Sequence, residues 1–353
     1  MPLMVLRPLI PHCPTEIGEM RLHIWMPTIA TGTGAEVWSK RLADGLRRKG
    51  HIVNLEMLPF AYQFCPWLIP SEVPPTCDVV IANSWNAGAL RTGDVPLVTI
   101  SHHVVHLSEL SPYKTRAQRV FHSLFIKPLE RRAIAKSGLV VTPSASTARD
   151  VEKVFGPAPV RTILNGIDTE FFCPDENHRA KSSGPVRLLF VGKPSRRKGF
   201  HLVAELMSLL GSKATLTIAG PRPERGLPDV EADWQGRVSD ERLRELYRNA
   251  DFLIFPSRLE GFGYVAAEAM ACGTPVICLA GGAVEEVVRP PEGGIILDPS
   301  NICTAKEAIL CFVTDGKSLE KLRQGARNRA CQFSFEQWIG SFESALFGLI
   351  NKR

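Results

Sequence analysis

The sequence has no apolar run long enough to cross a bilayer as a helix. Segments such as 77–82 (CDVVIA) and 187–192 (RLLFVG) stop after five or six residues, where about 18 are needed. Cysteine is present nine times, an odd number, and the closest pair, Cys272 and Cys278, lies too far apart for a C-x-x-C or finger-like spacing. A disulfide framework and a structural zinc site are therefore not expected, and the reducing cytosol is the expected compartment. The amino terminus lacks an uninterrupted apolar stretch, because Pro2, Pro8, Pro11 and Pro14 break it, so it does not read as a secretory signal. Internal repeats and low-complexity tracts are missing as well, which excludes solenoid and fibrous architectures.

What is present is an ordinary globular composition, 44% hydrophobic and 22% charged, in 353 residues. At roughly 100–200 residues per domain that length predicts two domains or one large α/β unit. The formal charge is +6, and the whole excess sits before residue 166, where 18 Lys and Arg face 12 Asp and Glu; the remainder is balanced at 24 each. The densest basic stretch, 112–136, holds Lys114, Arg116, Arg119, Lys127, Arg131, Arg132 and Lys136 against Glu130 alone, interleaved with Phe121, Leu124, Phe125 and Leu129. Such a segment can rest on an anionic surface or be a solvated helix face, and Pro128 argues against one uninterrupted helix through it.

Short β-branched runs alternate with longer amphipathic stretches, the pattern of parallel βαβ construction. Strands are expected at 21–27, 51–58, 78–84, 96–102, 138–144 and 160–166, and again at 186–192, 214–220, 251–257, 275–280 and 294–299. Two such sets predict two doubly wound parallel sheets facing across a cleft, with the polar stretch 168–184 between them. The expected division is an extension over 1–19, an acceptor-side domain over 20–167 completed by a terminal helix over 335–353, and a second domain over 168–334.

Three motifs follow strands, where ligands of such sheets bind. The first, 31–36 (TGTGAE), opens a helix, and Gly32 and Gly34 would let backbone amides approach a phosphate or hydroxyl. As a dinucleotide fingerprint it is poor, since the third glycine position is Val37, although Glu56 follows at a suitable distance; a tight turn without ligand is the plain alternative. The second, 191–200 (VGKPSRRKGF), gathers Lys193, Arg196, Arg197 and Lys198 at a strand end, a concentration of charge that suits a pyrophosphate or a solvated turn. The third, 256–277, places Glu260 before a helix opened by Gly261 and Gly263 and Glu268 along it. The amides of Phe262, Gly263 and Tyr264 are expected to cap a phosphate, Glu268 to accept from ribose hydroxyls, and Glu260 to reach a hexose. Paired carboxylates also serve as a hydrolase acid and base, and either can simply cap a helix.

The E-x7-E pattern of Glu260 and Glu268, with 269–277 (AMACGTPVI) and 281–288 (GGAVEEVV) after it, resembles the donor-site signature of the retaining family-4 glycosyltransferases of the GT-B fold. The early turn at Gly32, 165–174 (NGIDTEFFCP), 190–199 (FVGKPSRRKG) and 217–221 (TIAGP) recur in that family in the same order, so the resemblance covers most of the chain. It implies two Rossmann-like domains, the second holding a nucleotide sugar and the first the acceptor. It further implies donor contacts from Gly34, Lys193, Arg197, Lys198, Glu260, Gly261, Phe262, Gly263, Tyr264 and Glu268. Lys198 falls on the family's phosphate-binding lysine, whereas Lys193 stands where many members carry arginine, replacing a bidentate fork by a point charge. Among 102–106 (HHVVH), His102 is the residue expected to face the donor sugar, with His103 next. A metal reading of His102 and His106 lacks the glutamate of H-E-x-x-H.

The resemblance implies a front-face displacement catalysed by His102, Lys198 and Glu260, with no cofactor and no metal, since no Asp-x-Asp occurs. Expected partners are a nucleotide sugar, UDP-hexose before GDP-mannose, a glycan or lipid-linked acceptor of a bacterial-type polysaccharide or lipopolysaccharide, and an anionic membrane surface on the cytoplasmic side. Nucleic acid is not expected. A hydrolysing nucleotide-sugar epimerase, a nicotinamide oxidoreductase and a non-enzymatic sugar-nucleotide sensor are the alternatives.

Overall fold

The computed structural model describes residues 20–32, 34–65, 68–69, 72–175, 184–223 and 226–352. The expected extension 1–19, and 176–183 of the expected linker, lie outside these residues.

The first sheet is made of β1 (His23–Ile29), β2 (Ile52–Leu58), β3 (Val79–Asn83), β4 (Leu97–Ile100), β5 (Leu139–Thr142) and β6 (Val160–Thr162), all parallel, in the order β2-β1-β3-β4-β5-β6. The second contains β7 (Val186–Val191), β8 (Ala214–Ala219), β9 (Asp233–Gly236), β10 (Phe252–Phe255), β11 (Val276–Leu279) and β12 (Gly294–Leu297), also parallel, in the order β12-β11-β10-β7-β8-β9. Strand order reverses between β1 and β3 in one sheet and between β7 and β10 in the other, which opens a crevice at the carboxyl ends of those strands. Central strands such as LVTI, FLIF and VICL are buried at every position, as expected where helices cover both faces.

The helices between strands are α1 (Gly34–Arg48), α2 (Ser84–Ala87), α3 (Arg116–Phe121), α4 (Lys127–Lys136) and α5 (Ala145–Phe155) in the first half. The second half has α6 (Phe200–Leu210), α7 (Asp240–Asn249), α8 (Tyr264–Ala271), α9 (Gly282–Val288), α10 (Ile302–Thr314), α11 (Gly316–Cys331) and α12 (Phe335–Ile350). In α1 the buried Trp38, Leu42 and Leu46 recur every four residues and form one stripe against the sheet. The last helix, α12, returns to the first sheet: Trp338, Ile339, Phe342, Ala345 and Leu346 share a core with Leu22, Ile24, Leu42 and Leu46.

Two sequence expectations are altered. Pro128 does not interrupt the basic helix: α3 and α4 are joined by a π-helical stretch, His122–Ile126, and Pro128 falls in the first turn of α4, where its missing N–H is tolerated. Strand β9, sequence DWQG, was not expected at all; it is a short edge strand with no fully buried residue, and it lacks the β-branched run by which the other strands are recognisable.

Candidate active site

Both walls of the site are loops that leave strand ends. After β7 the chain turns at Gly192, φ +114°, a backbone conformation open to glycine, and a Cβ there would come within 2.6 Å of Lys198 Nζ. The missing side chain is what lets the Lys198 ammonium lie over the turn, 5.6 Å from the Phe255 ring centre. Burial pushes the Lys198 pKa down, against the opposing pull of Glu260. The same loop is pressed against the one after β10, since a Cβ on Gly199 would overlap the Pro256 carbonyl. Arg197 reaches across, donating to the Leu259 carbonyl at 3.1 Å and standing 3.6 Å from Glu260 Oε1. Glu260 is also fixed by Ser257 Oγ at 2.8 Å. Lys193 and Arg196 are exposed at the rim.

Helix α8 begins at Tyr264, with Gly263 as its cap at φ +100°. The amides of Ala266 and Ala267 bond the Gly263 carbonyl, so those of Tyr264 and Val265 are the first-turn donors that helix geometry leaves for an anion. Phe262 precedes the helix, and its side chain is buried in the core, 5.7 Å from the Phe333 ring, which leaves its backbone amide as the group able to face the cleft. One turn into α8, Glu268 accepts from the Tyr247 hydroxyl at 3.1 Å. Burial drives its pKa up to about 7, although Tyr247 and Arg41 on α1 of the other half draw it down.

The opposite wall is segment 101–107, which follows β4 and is not helical, so His102 and His106 do not share the helix face that the metal alternative needs. The His102 ring stands edge-on to Trp38, 4.9 Å between centres, and withdrawal from water lowers its pKa to about 4, leaving it neutral at neutral pH. His103 lies in the field of Glu260 and Arg197 from the other wall, and of Glu130 and Lys114 from its own; its pKa is lowered, chiefly by desolvation. The segment is held from behind by buried Glu130, which accepts from Ser84 Oγ and pairs with His106 Nε2, both at 2.6 Å. The walls touch where a Cβ on Gly261 would overlap the His102 carbonyl, and where Thr147 Oγ1 donates to the Gly261 carbonyl at 3.4 Å.

The first glycine turn is already occupied by the protein itself. Gly34 is the first residue of α1, and Gly32, φ +64°, donates its amide to Glu36 Oε2 at 2.8 Å. Glu56, the acidic residue that a dinucleotide ribose would require, accepts from the Trp25 indole at 2.8 Å. Both contacts would compete with a nicotinamide cofactor. Several contributors escape a reading by motif: Tyr247 and Ser257, which hold the two carboxylates; Trp38, which backs His102 and donates to Asn165 Oδ1 at 2.8 Å; and Glu130. The pairing of Trp38 with Asn165 spans 127 residues, and no local pattern could reveal it.

One wall thus offers a cation pair, two carboxylates and helix amides, a set suited to a diphosphate and sugar hydroxyls. The other brings neutral or weakly basic imidazoles against them.

Two family models match the chain, "Glycosyltransferase Family 4" over residues 57–171 and "Glycosyl transferases group 1" over 175–329. The chain is similar to D-inositol 3-phosphate glycosyltransferase 1 of Catenulispora acidiphila, 29% identical over 302 residues that cover 76% of this chain and 71% of that protein. It is also similar to the glycogen synthase of Mycobacterium tuberculosis, 29% identical over 271 residues, covering 71% of this chain and 64% of that one. Among solved structures, sucrose-phosphate synthase from Thermosynechococcus elongatus superposes with a TM-score of 0.73 over 94% of this chain and 100% of that one, at 18% identity, a likeness of fold.

Proposed function

The chain belongs to glycosyltransferase family 4, the group 1 glycosyl transferases of GT-B fold, and from that premise we propose that it moves a hexose from a nucleotide diphosphate sugar to a hydroxyl of a glycan or glycolipid. The observation that supports this most is the convergence of Lys198, Arg197, Glu260, Glu268 and the first turn of α8 at one strand-order reversal, facing His102 and His103 on the other domain. UDP-hexose is the first donor to test and GDP-mannose the second, the order in which these donors occur in the family.

In the proposed reaction the bond between the anomeric carbon and the diphosphate oxygen breaks while the acceptor oxygen bonds to the same face of that carbon. The acceptor proton passes to the departing phosphate oxygen, and configuration is retained. Lys198, Arg197 and the α8 amides stabilise the charge that develops on the diphosphate. Glu268 accepts from the ribose, Glu260 and neutral His102 hold the sugar, and Trp38 orients His102. No divalent metal takes part. Turnover that collapses with EDTA and returns with magnesium or manganese would overturn the metal-free mechanism, and analysis of the product's anomeric configuration tests retention.

An acceptor carried on an anionic membrane face is supported by exposed Phe60, Phe64, Leu124 and Phe125, continued inward by Phe121 and flanked by Arg116, Arg119 and Lys127. We infer from this patch a position at the cytoplasmic face and an acceptor of lipid-linked glycan or lipopolysaccharide core. Among the described residues no helix is long and apolar enough to cross a membrane. Co-sedimentation with anionic vesicles should weaken between low and high salt; salt-independent binding would count against the idea. The names of the curated relatives favour a second reading, a small phosphorylated polyol as acceptor. Transfer to inositol phosphate in the absence of lipid distinguishes the two.

A further inference from the structure

At the end of the first sheet remote from the cleft lies a cavity of about 770 Å³, within the size range of small-molecule sites. It is lined by Leu97 at the start of β4 and Gly138 just before β5. His102 follows Leu97 by five residues, so the cavity and the catalytic cleft are about 16 Å apart along that strand at ~3.3 Å per residue. Its rim carries Arg91, Arg132, Lys136 and Lys352, and its walls include Leu129 and Leu349. Leu129, Arg132 and Lys136 are spaced i, i+3 and i+7 on α4, so one face of the basic helix addresses the cavity. Among the described residues no carboxylate side chain lines it. Asp94 and Glu72 are near in the chain, Glu72 bridging Arg91 through its backbone, but neither is among the lining residues or in an ion pair with these cations among the described residues.

Part of the positive charge has an internal purpose. Lys136 donates to the Leu90 carbonyl at 2.5 Å, and α4 and α12 both end here. Two helix carboxyl ends carry about one negative charge together, which four cations exceed. Lys136 has its pKa lowered, first by burial and then by Arg132 beside it. Like charges are thus gathered around a hollow of mixed polar and apolar surface whose wall, among the described residues, carries no side-chain counter-charge.

We propose that this cavity is a second ligand site, separate from the catalytic cleft, that takes an organic phosphate, with the phosphate among Arg91, Arg132 and Lys352 and the attached body against Leu129 and Leu349. The phosphate ester can be a soluble metabolite or a lipid headgroup, and the two are distinguished by probe.

Calorimetric titration of the full chain with phenyl phosphate should show a site that persists in Lys198→Ala, where the cleft is impaired, and whose affinity falls at least tenfold in Arg132→Glu and in Arg91→Glu. Arg132→Ala serves if a reversal lowers the melting temperature. Flotation with vesicles of phosphatidylcholine containing phosphatidic acid forms the second arm. Binding to vesicles but not to phenyl phosphate, lost in Arg132→Glu, assigns the site to a lipid; phenyl phosphate binding that falls in the arginine variants assigns it to soluble esters. Binding of both probes that is unchanged in the arginine variants, binding lost in Lys198→Ala alone, or no binding of either probe overturns the proposal.

Discussion

Gly261 and His102 meet across the domain boundary with no space for a side chain between them: a Cβ on Gly261 would overlap the His102 carbonyl oxygen. The loop after β10 and the loop after β4 approach this closely only because residue 261 has no side chain. Gly261→Ala should push the walls apart, lowering stability by about 1–3 kcal/mol and turnover more than tenfold. Thermal melts and initial rates check both. Gly340→Ala, in α12 where nothing lies within 4 Å of the added carbon, should instead stabilise by about 0.5–1 kcal/mol.

Glu268 should make donor binding depend on pH. Its pKa is raised to about 7, and only the carboxylate can accept two hydrogen bonds from a ribose, so affinity is full above that pH and falls about tenfold per unit below it. Tyr247→Phe removes a hydrogen bond that favours the charged form and should move the midpoint upward. Calorimetry across pH 5.5–8.5 reads this, and a flat profile would refute the role.

Glu268→Ala should weaken donor binding by about 2–3 kcal/mol. Its KM effect should be large.

Lys198→Ala should lower kcat more than it raises KM, because the ammonium matters most as the diphosphate departs. An effect confined to KM would contradict that timing.

His102→Ala should cost about tenfold or more in kcat/KM through one lost hydrogen bond to the sugar, and His103→Ala less. With its pKa near 4, His102 stays neutral between pH 5.5 and 8, so the native rate profile should show no step from it there. A greater loss in His103→Ala would transfer the sugar contact to His103, which already senses Glu260 and Arg197.

Of the twelve strands among the described residues eleven were legible, the central ones because parallel strands buried on both faces are short apolar runs bounded by turns, and these survive translation into sequence. Strand β9 was not, because its place at the sheet edge rests on pairing with β8 rather than on its own composition. In the site, Lys198 and Glu260 stand out as charges beside glycines, and Glu268 as the lone charge in an alanine-rich helix eight residues after Glu260. Their supports do not: Tyr247 is 21 residues from Glu268, Trp38 looks like one more apolar position of an amphipathic helix, and Glu130 hides inside a run of cations. The raised pKa of Glu268 and the lowered one of His102 are products of burial, which a linear motif does not encode.

The return of α12 to the first sheet has a consequence for the order of assembly on the ribosome. Every strand of the second sheet lies within 186–297 and its covering helices end by residue 331, with Phe333 just beyond them completing the core around Phe262, so that half can close once Phe333 is in place. The first half, although synthesised earlier, waits for Trp338 and Phe342 to complete its core. The half made last should therefore reach its native state first, with the earlier half held as a partly packed sheet until the final helix docks. Released chains truncated after residue 334 should show protease resistance in the second half and not in the first, and Phe342→Ala should destabilise the first half by about 3–5 kcal/mol.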